Sequence, residues 1–150
     1  MASQYITFII IFTLGLSLVI MTNSIFLSVS EQFQANIAEI EMTRILSLIQ
    51  SQLHRNFLFH TDSQQTIEQK IELPGLLGQG LRYTIEISNS SDNHDIALHG
   101  YTMNNEINQI TTISLGSKYT IVAQGEFHST TPLLTLHIEK DVNYITIIIS

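Results

Sequence analysis

The chain of 150 residues contains no cysteine, which removes disulfides, thiolate metal sites and thiol nucleophiles together. Positive charge is scarce. Six Lys and Arg against thirteen Asp and Glu leave a net charge of -7. Nucleic-acid binding draws on a basic patch that displaces counterions from phosphates, so no nucleic-acid partner is expected. Charge of either sign is missing before Glu31, and neither Gly nor Pro occurs between Gly15 and Pro74. The first absence describes a segment unsuited to water, and the second leaves a helix nothing to stop it.

What stands in the uncharged region is ITFIIIFTLGLSLVIMTNSIFL, Ile6 to Leu27. About 22 residues at 1.5 Å rise give roughly 33 Å of helix, enough to cross a hydrocarbon core of about 30 Å. Ile6, Ile9, Ile10, Leu14, Leu18, Ile20, Ile25 and Leu27 are its transmembrane or assembly residues. Hydroxyls at Thr7, Thr13, Ser17, Thr22 and Ser24 can bond back to carbonyls one turn earlier. The Asn23 amide is costlier in hydrocarbon, and is expected near an interface or against another helix. A secretory signal would carry a basic n-region and a shorter apolar core, whereas Met1 to Tyr5 has no Lys or Arg. A buried core helix is usually 10 to 14 residues long. The expected location is the cell membrane, crossed once with the C-terminal domain extracellular, or an extracellular filament.

Three regions follow: 1-30, a transmembrane or filament-core helix; 31-59, an amphipathic helical extension; and 60-150, a β-sandwich head. In the second, Phe33, Ile37, Ile40, Ile45, Leu48, Ile49 and Leu53 recur at helical spacing and form a stripe that seeks a partner. That partner is either the β domain of the same chain or the equivalent helices of neighbouring subunits. The helix is expected to end between Arg55 and Phe59, followed by a polar linker, His60 to Thr66. Strands are expected at Ile67 to Leu73, Leu81 to Ile87, Asp95 to His99, Gln109 to Leu115, Lys118 to Ala123, Leu133 to Glu139 and Tyr144 to Ile149. Turns fall at Pro74-Gly75, Ser88 to His94, Gly116-Ser117 and Ser129 to Pro132. The fold class is α+β: one long N-terminal helix, then a small antiparallel β-sandwich. YITIII, uncharged and β-branched, reads as a central strand buried on both faces, with donor-strand exchange as the alternative.

Motifs for chemistry are few. The six histidines, at 54, 60, 94, 99, 128 and 137, lack the i, i+4 helical pair with a third ligand of a zinc site. His94 and His99 with Asp92 and Asp95 come nearest, and are read as loop residues. Gly75, Gly78 and Gly80 precede a strand rather than opening a helix after one, so they mark a turn. No nucleophile elbow or standout carboxylate pair occurs. Neither catalysis nor a cofactor is expected. Asn89-Ser90-Ser91 is a sequon, making Asn89 a possible glycosylation site.

An uncharged apolar helix within a few residues of the start, a continuous amphipathic extension and a compact β domain together resemble the archaeal type IV pilin-like proteins. These include archaellum filament and stator subunits. The run IELPGLLGQGLRYTIEI, residues 71-87, is similar to a strand, Leu-Pro, glycine turn and Tyr-containing strand that recurs among pilin-like membrane proteins. No Lys or Arg precedes the helix, and Tyr5 stands where many bacterial relatives carry Glu. The resemblance implies a structural role as filament subunit or membrane-retained accessory protein, with a homo-oligomer or other pilin-like subunits as partners. A second expectation is a membrane-anchored binding module, stator-like or adhesive, whose β domain grips an envelope protein or glycan. An aromatic patch around Tyr101, Tyr119 or Phe127 would serve it.

Overall fold

The computed structural model describes residues 2-59, 65-78, 80-90, 94-104, 107-114, 119-141 and 143-150. The expected turn at Gly116-Ser117, most of the linker from His60 to Thr66 and the centre of the turn from Ser88 to His94 lie outside them. One helix, α1 (Ala2–Phe59), is followed by seven strands: β1 (Gln65–Glu72), β2 (Tyr83–Asn89), β3 (Asp95–Thr102), β4 (Asn108–Ser114), β5 (Thr120–His128), β6 (Leu133–Lys140) and β7 (Tyr144–Ile149). The chain divides into two compact units, Met1–Asn36 and Ile37–Ser150.

The first unit is helix throughout its described residues. With no other element in the unit, its apolar side chains have nothing to pack on. Its hydroxyls close on the backbone instead. Thr7 donates to the Ser3 carbonyl at 3.0 Å, Ser17 to Thr13 at 2.8 Å, Thr22 to Leu18 at 2.7 Å and Ser24 to Ile20 at 3.0 Å. Thr13 does the same to Ile9. Side chains satisfied in this way bring few unmet polar groups into an apolar medium.

In the second unit the strands form one sheet in the order β1-β6-β7-β5-β2-β3-β4. This corrects the expected sandwich. The sheet is single and open, because α1, rather than a second sheet, covers its apolar face. Ala38, Met42, Ile45, Leu46, Ile49 and Leu53 are buried from the helix, at the 3- and 4-residue steps that keep one face inward. They join a core with Ile85 and Ile87 of β2, Ile96 and Leu98 of β3, Ile121 and Phe127 of β5, Leu134 and Leu136 of β6, and Ile145, Ile147 and Ile149 of β7.

Polar contacts fix where the helix crosses. Gln109 on β4 donates to Glu39 at 3.0 Å and accepts from Thr43 at 2.7 Å. Near the other end, Gln69 on β1 donates to Gln52 at 2.9 Å and accepts from Asn56 at 2.7 Å. Residues 39-56 therefore run from one edge strand to the other. Between them Gly100 of β3 admits the helix, since a Cβ there would stand 2.5 Å from the Met42 sulfur.

The sheet is also mixed rather than antiparallel throughout. β7 returns from β6 and inserts between β6 and β5, which makes its pairing with β5 parallel while every other pair is antiparallel. As expected, YITIII is central. It is not buried on both faces: Ile145, Ile147 and Ile149 point into the core, while Thr146 and Ile148 are half-buried and Tyr144 is exposed. Strand alternation against a single helical layer leaves the far face to solvent. β5 also runs on to His128, past the expected end at Ala123.

The glycine loop before β2 turns as its composition suggests. Leu77 and Leu81 exchange backbone hydrogen bonds of 2.8 and 3.0 Å, with Gly78 at φ 52° and Gly80 at φ 122°, values that glycine adopts without steric cost. The Gly78 amide donates to Glu41 of α1 at 2.5 Å. Tyr83, whose hydroxyl donates to the Pro74 carbonyl at 2.5 Å, closes the loop, and burial pushes its pKa up to about 12.

Among the glycines of the sheet, Gly125 meets the closest backbone. A Cβ there would lie 2.2 Å from the Ile149 carbonyl oxygen, and its φ is 135°. Gly125→Ala is expected to destabilise the domain by roughly 2–4 kcal/mol through overpacking and backbone strain. Chemical denaturation of the detergent-solubilised chain should read this as a lower midpoint; an unchanged midpoint would show that β5 and β7 can separate freely.

Candidate functional site

The residues assigned to membrane or assembly lie entirely at the surface of the first unit. Ile6, Ile9, Ile10, Leu14, Leu18, Ile20, Ile25 and Leu27 are each more than half exposed. By length and apolar composition α1 is able to cross a membrane. Exposed apolar surface on this scale marks a membrane or protein contact rather than ordinary surface. Phe33, also of this unit, is 66 % exposed.

The expected stripe of the second unit divides into two faces. Ile45, Ile49 and Leu53 are buried under the sheet, whereas Ile40 is 68 % exposed and Ile37 and Leu48 remain more than a third exposed. The inward face instead recruits Ala38, Met42 and Leu46. At 100° per residue Ile40 lies nearly opposite the inward face and Ile37 and Leu48 lie toward its flank, so the outward side of the helix carries three apolar side chains among exposed Thr43, Arg44, Ser47 and Ser51. Beside Leu48 lies a cavity of about 560 Å³ walled by Arg44, Ile45, Leu73 and Pro74.

A second feature occupies the solvent face of the sheet, where alternation places Glu86 of β2 directly opposite Glu126 of β5 and His99 of β3. The Tyr101 hydroxyl donates to Glu126 at 3.0 Å, and His128 stands 3.9 Å from the same carboxylate and 3.1 Å from the Thr84 hydroxyl. His99 meets Asn108 at 2.8 Å, and its ring lies 4.9 Å from that of Tyr101. Desolvation, with the hydrogen bond and negative charge of Glu126 behind it, raises the Tyr101 pKa. These bonds run from strand to strand, so the group works as a cross-strand network over β4, β3, β2 and β5.

Of the nearest expected metal cluster, His94 stands 3.3 Å from the Tyr119 carbonyl and His99 is engaged with Asn108. Asp92 lies outside the described residues. No group of three potential ligands that could hold a metal occurs among those described. Of the three aromatic residues named for a binding patch, Phe127 is core and Tyr119 is half-buried beneath the Lys140 ammonium, 5.0 Å from its ring centroid. Tyr101 alone belongs to the network on the solvent face.

Asn89 is the last residue of β2 rather than part of a turn. Its amide nitrogen donates to the Ile121 carbonyl at 2.9 Å and its oxygen accepts from the Ala123 amide at 2.5 Å. The side chain thus ties the end of β2 to β5 through both its nitrogen and its oxygen. Sequence reasoning missed this role, because an Asn at a strand end carries no local mark of what it faces.

Comparison with known protein families, curated proteins and solved structures finds nothing that matches the chain. The function therefore has to be argued from these surfaces. Asn89→Ala should remove both bonds and cost about 1–3 kcal/mol, the penalty for a part-buried donor and acceptor left unpaired. Thermal denaturation followed by circular dichroism reads the loss; a variant as stable as the parent would deny the bridge.

Proposed function

We propose that this protein is a structural subunit or minor component of a type IV pilin-like, archaellum-like surface assembly. In this reading residues 6-27 sit among lipid tails before assembly and among equivalent helices after it, while the β domain faces solvent outside the membrane. The role is mechanical. The observation that carries it is the outward face of α1: Ile37, Ile40 and Leu48 are exposed on a helix whose opposite face already closes the sheet. A helix meant only to anchor a domain needs one apolar face there. Three apolar side chains left exposed on the other side fit a helix that also packs against its neighbours, in the ridge-and-groove manner of helix bundles.

The extracellular placement of the β domain belongs to the same reading, as do the filament and its homo-oligomeric or pilin-like partners. A second reading keeps the helix as anchor and makes the β domain a binding module for an envelope protein or glycan. The half-buried pairing of His99 with Tyr101 on the solvent face favours it, since aromatic and imidazole rings beside carboxylates can stack on and hydrogen-bond a sugar.

Charging the outward face separates the two. The triple substitution Ile37→Lys, Ile40→Lys, Leu48→Lys touches no buried position and should leave the circular dichroism spectrum and membrane fractionation unchanged. Rods or oligomers seen by electron microscopy in the parent protein should be absent. Assembly at the parent level would contradict the structural reading and leave the anchor alone.

A further inference from the structure

The open sheet has two edges, and they are built differently. β1 carries Glu68, Lys70 and Glu72 in eight residues, the usual way of blunting an edge against pairing. β4, NQITTIS, has neither charge nor proline. Its β-branched residues and edge position make it an open template, and Ile110 on it is 67 % exposed.

Which backbone groups face outward follows from the ladder. Ser90 donates to Asp95 and Thr102 donates to Ile107, and antiparallel pairs alternate between bonded and non-bonded. Hence the odd residues of β3 bond to β2 and its even residues to β4. In the register that pairs Tyr101 with Asn108 and Ile96 with Ile113, Gln109, Thr111 and Ile113 spend their amides and carbonyls on β3. Those of Asn108, Ile110, Thr112 and Ser114 point away from the sheet.

We infer that this edge pairs with β4 of a second copy of the chain, antiparallel and centred on Thr111. In that register Asn108 meets Ser114 and Ile110 meets Thr112 of the partner, twice each by symmetry, so every outward donor finds an acceptor. Exposed Ile110 is covered by cross-strand contact. Neutrality is what singles out a second copy. Any charge on the strand would be repeated across a self-paired edge, and a chain of net charge -7 has few stretches where identical copies can meet without repulsion. Of the acidic side chains beside β4, Glu39 lies on the helix and accepts a hydrogen bond from Gln109, and Asp95 lies one strand inward, opposite Ser114. This contact does not rest on the proposed function, because it uses the sheet and leaves α1 free.

The absence of cysteine makes the test direct. Thr111→Cys in the full-length protein in detergent introduces a sole thiol, and at a non-bonded antiparallel pair two such residues stand about 4.5 Å apart by Cα, within reach of a disulfide. Mild oxidation should give a disulfide-linked dimer as the main species on a non-reducing gel, while Glu72→Cys on the β1 edge should stay monomeric. Adding Thr112→Pro, which removes an outward amide and no bond to β3, should abolish the dimer. Ile110→Lys should suppress it too, since pairing would bring two lysines to diagonal positions. The dimer should survive in the Ile37→Lys, Ile40→Lys, Leu48→Lys background, which separates this contact from the helical one. Cross-linking of Thr111→Cys no greater than that of Glu72→Cys, or undiminished by both Thr112→Pro and Ile110→Lys, would overturn the inference.

Discussion

A seven-stranded sheet with one apolar face cannot stand in water until something covers that face, and in the second unit the cover is helix. Residues 38-53 of α1 close the core by burying Met42, Leu46, Ile49 and Leu53 over strands from both halves of the sheet. At roughly 1.5–3 kcal/mol for each large side chain fully buried, this layer is comparable with the whole stability of a small domain. Gly100 and Gly125 matter for the same reason: one lets the helix approach the sheet, the other lets β5 lie against the end of β7.

The constraint has a consequence for function. A helix that must cover a sheet is tied to its own domain along one face, which leaves only its other face and its apolar N-terminal residues for any partner. Ile37, Ile40 and Leu48 are left exposed outside the buried face, and the large apolar residues from Ile6 to Leu27 are each more than half exposed. Such surface is tolerated in a protein whose helix finds lipid or other helices, and would aggregate in one that does not. The polar network of Glu86, Glu126, His99, Tyr101 and His128 keeps the far face of the sheet wettable, so the domain presents one dry element and one wet one.

Much of this was legible in the residues. Alternation at Tyr83, Ile85 and Ile87 announced β2, and the uninterrupted run before Pro74 announced a helix that ends at Phe59. The inward helical face was harder to see. Its members include Ala38 and Met42, weak as hydrophobic signals, while bulky Phe33, Ile37 and Ile40 on other faces drew the stripe away from them. The choice between sandwich and single sheet was not local at all. Seven short strands satisfy either architecture, and what decides is whether the helix is available as the second layer. The parallel pairing of β5 with β7 and the bridge made by Asn89 are likewise set by partners distant in sequence.

The central claim is that the apolar N-terminal residues are sheltered only by lipid or by other copies of the chain. Light scattering of the purified full-length protein as detergent is withdrawn measures this most directly, with electron microscopy of the same sample. The account predicts growth into ordered oligomers or rods, or retention in added vesicles. A freely soluble, lone molecule that persists without detergent would contradict it.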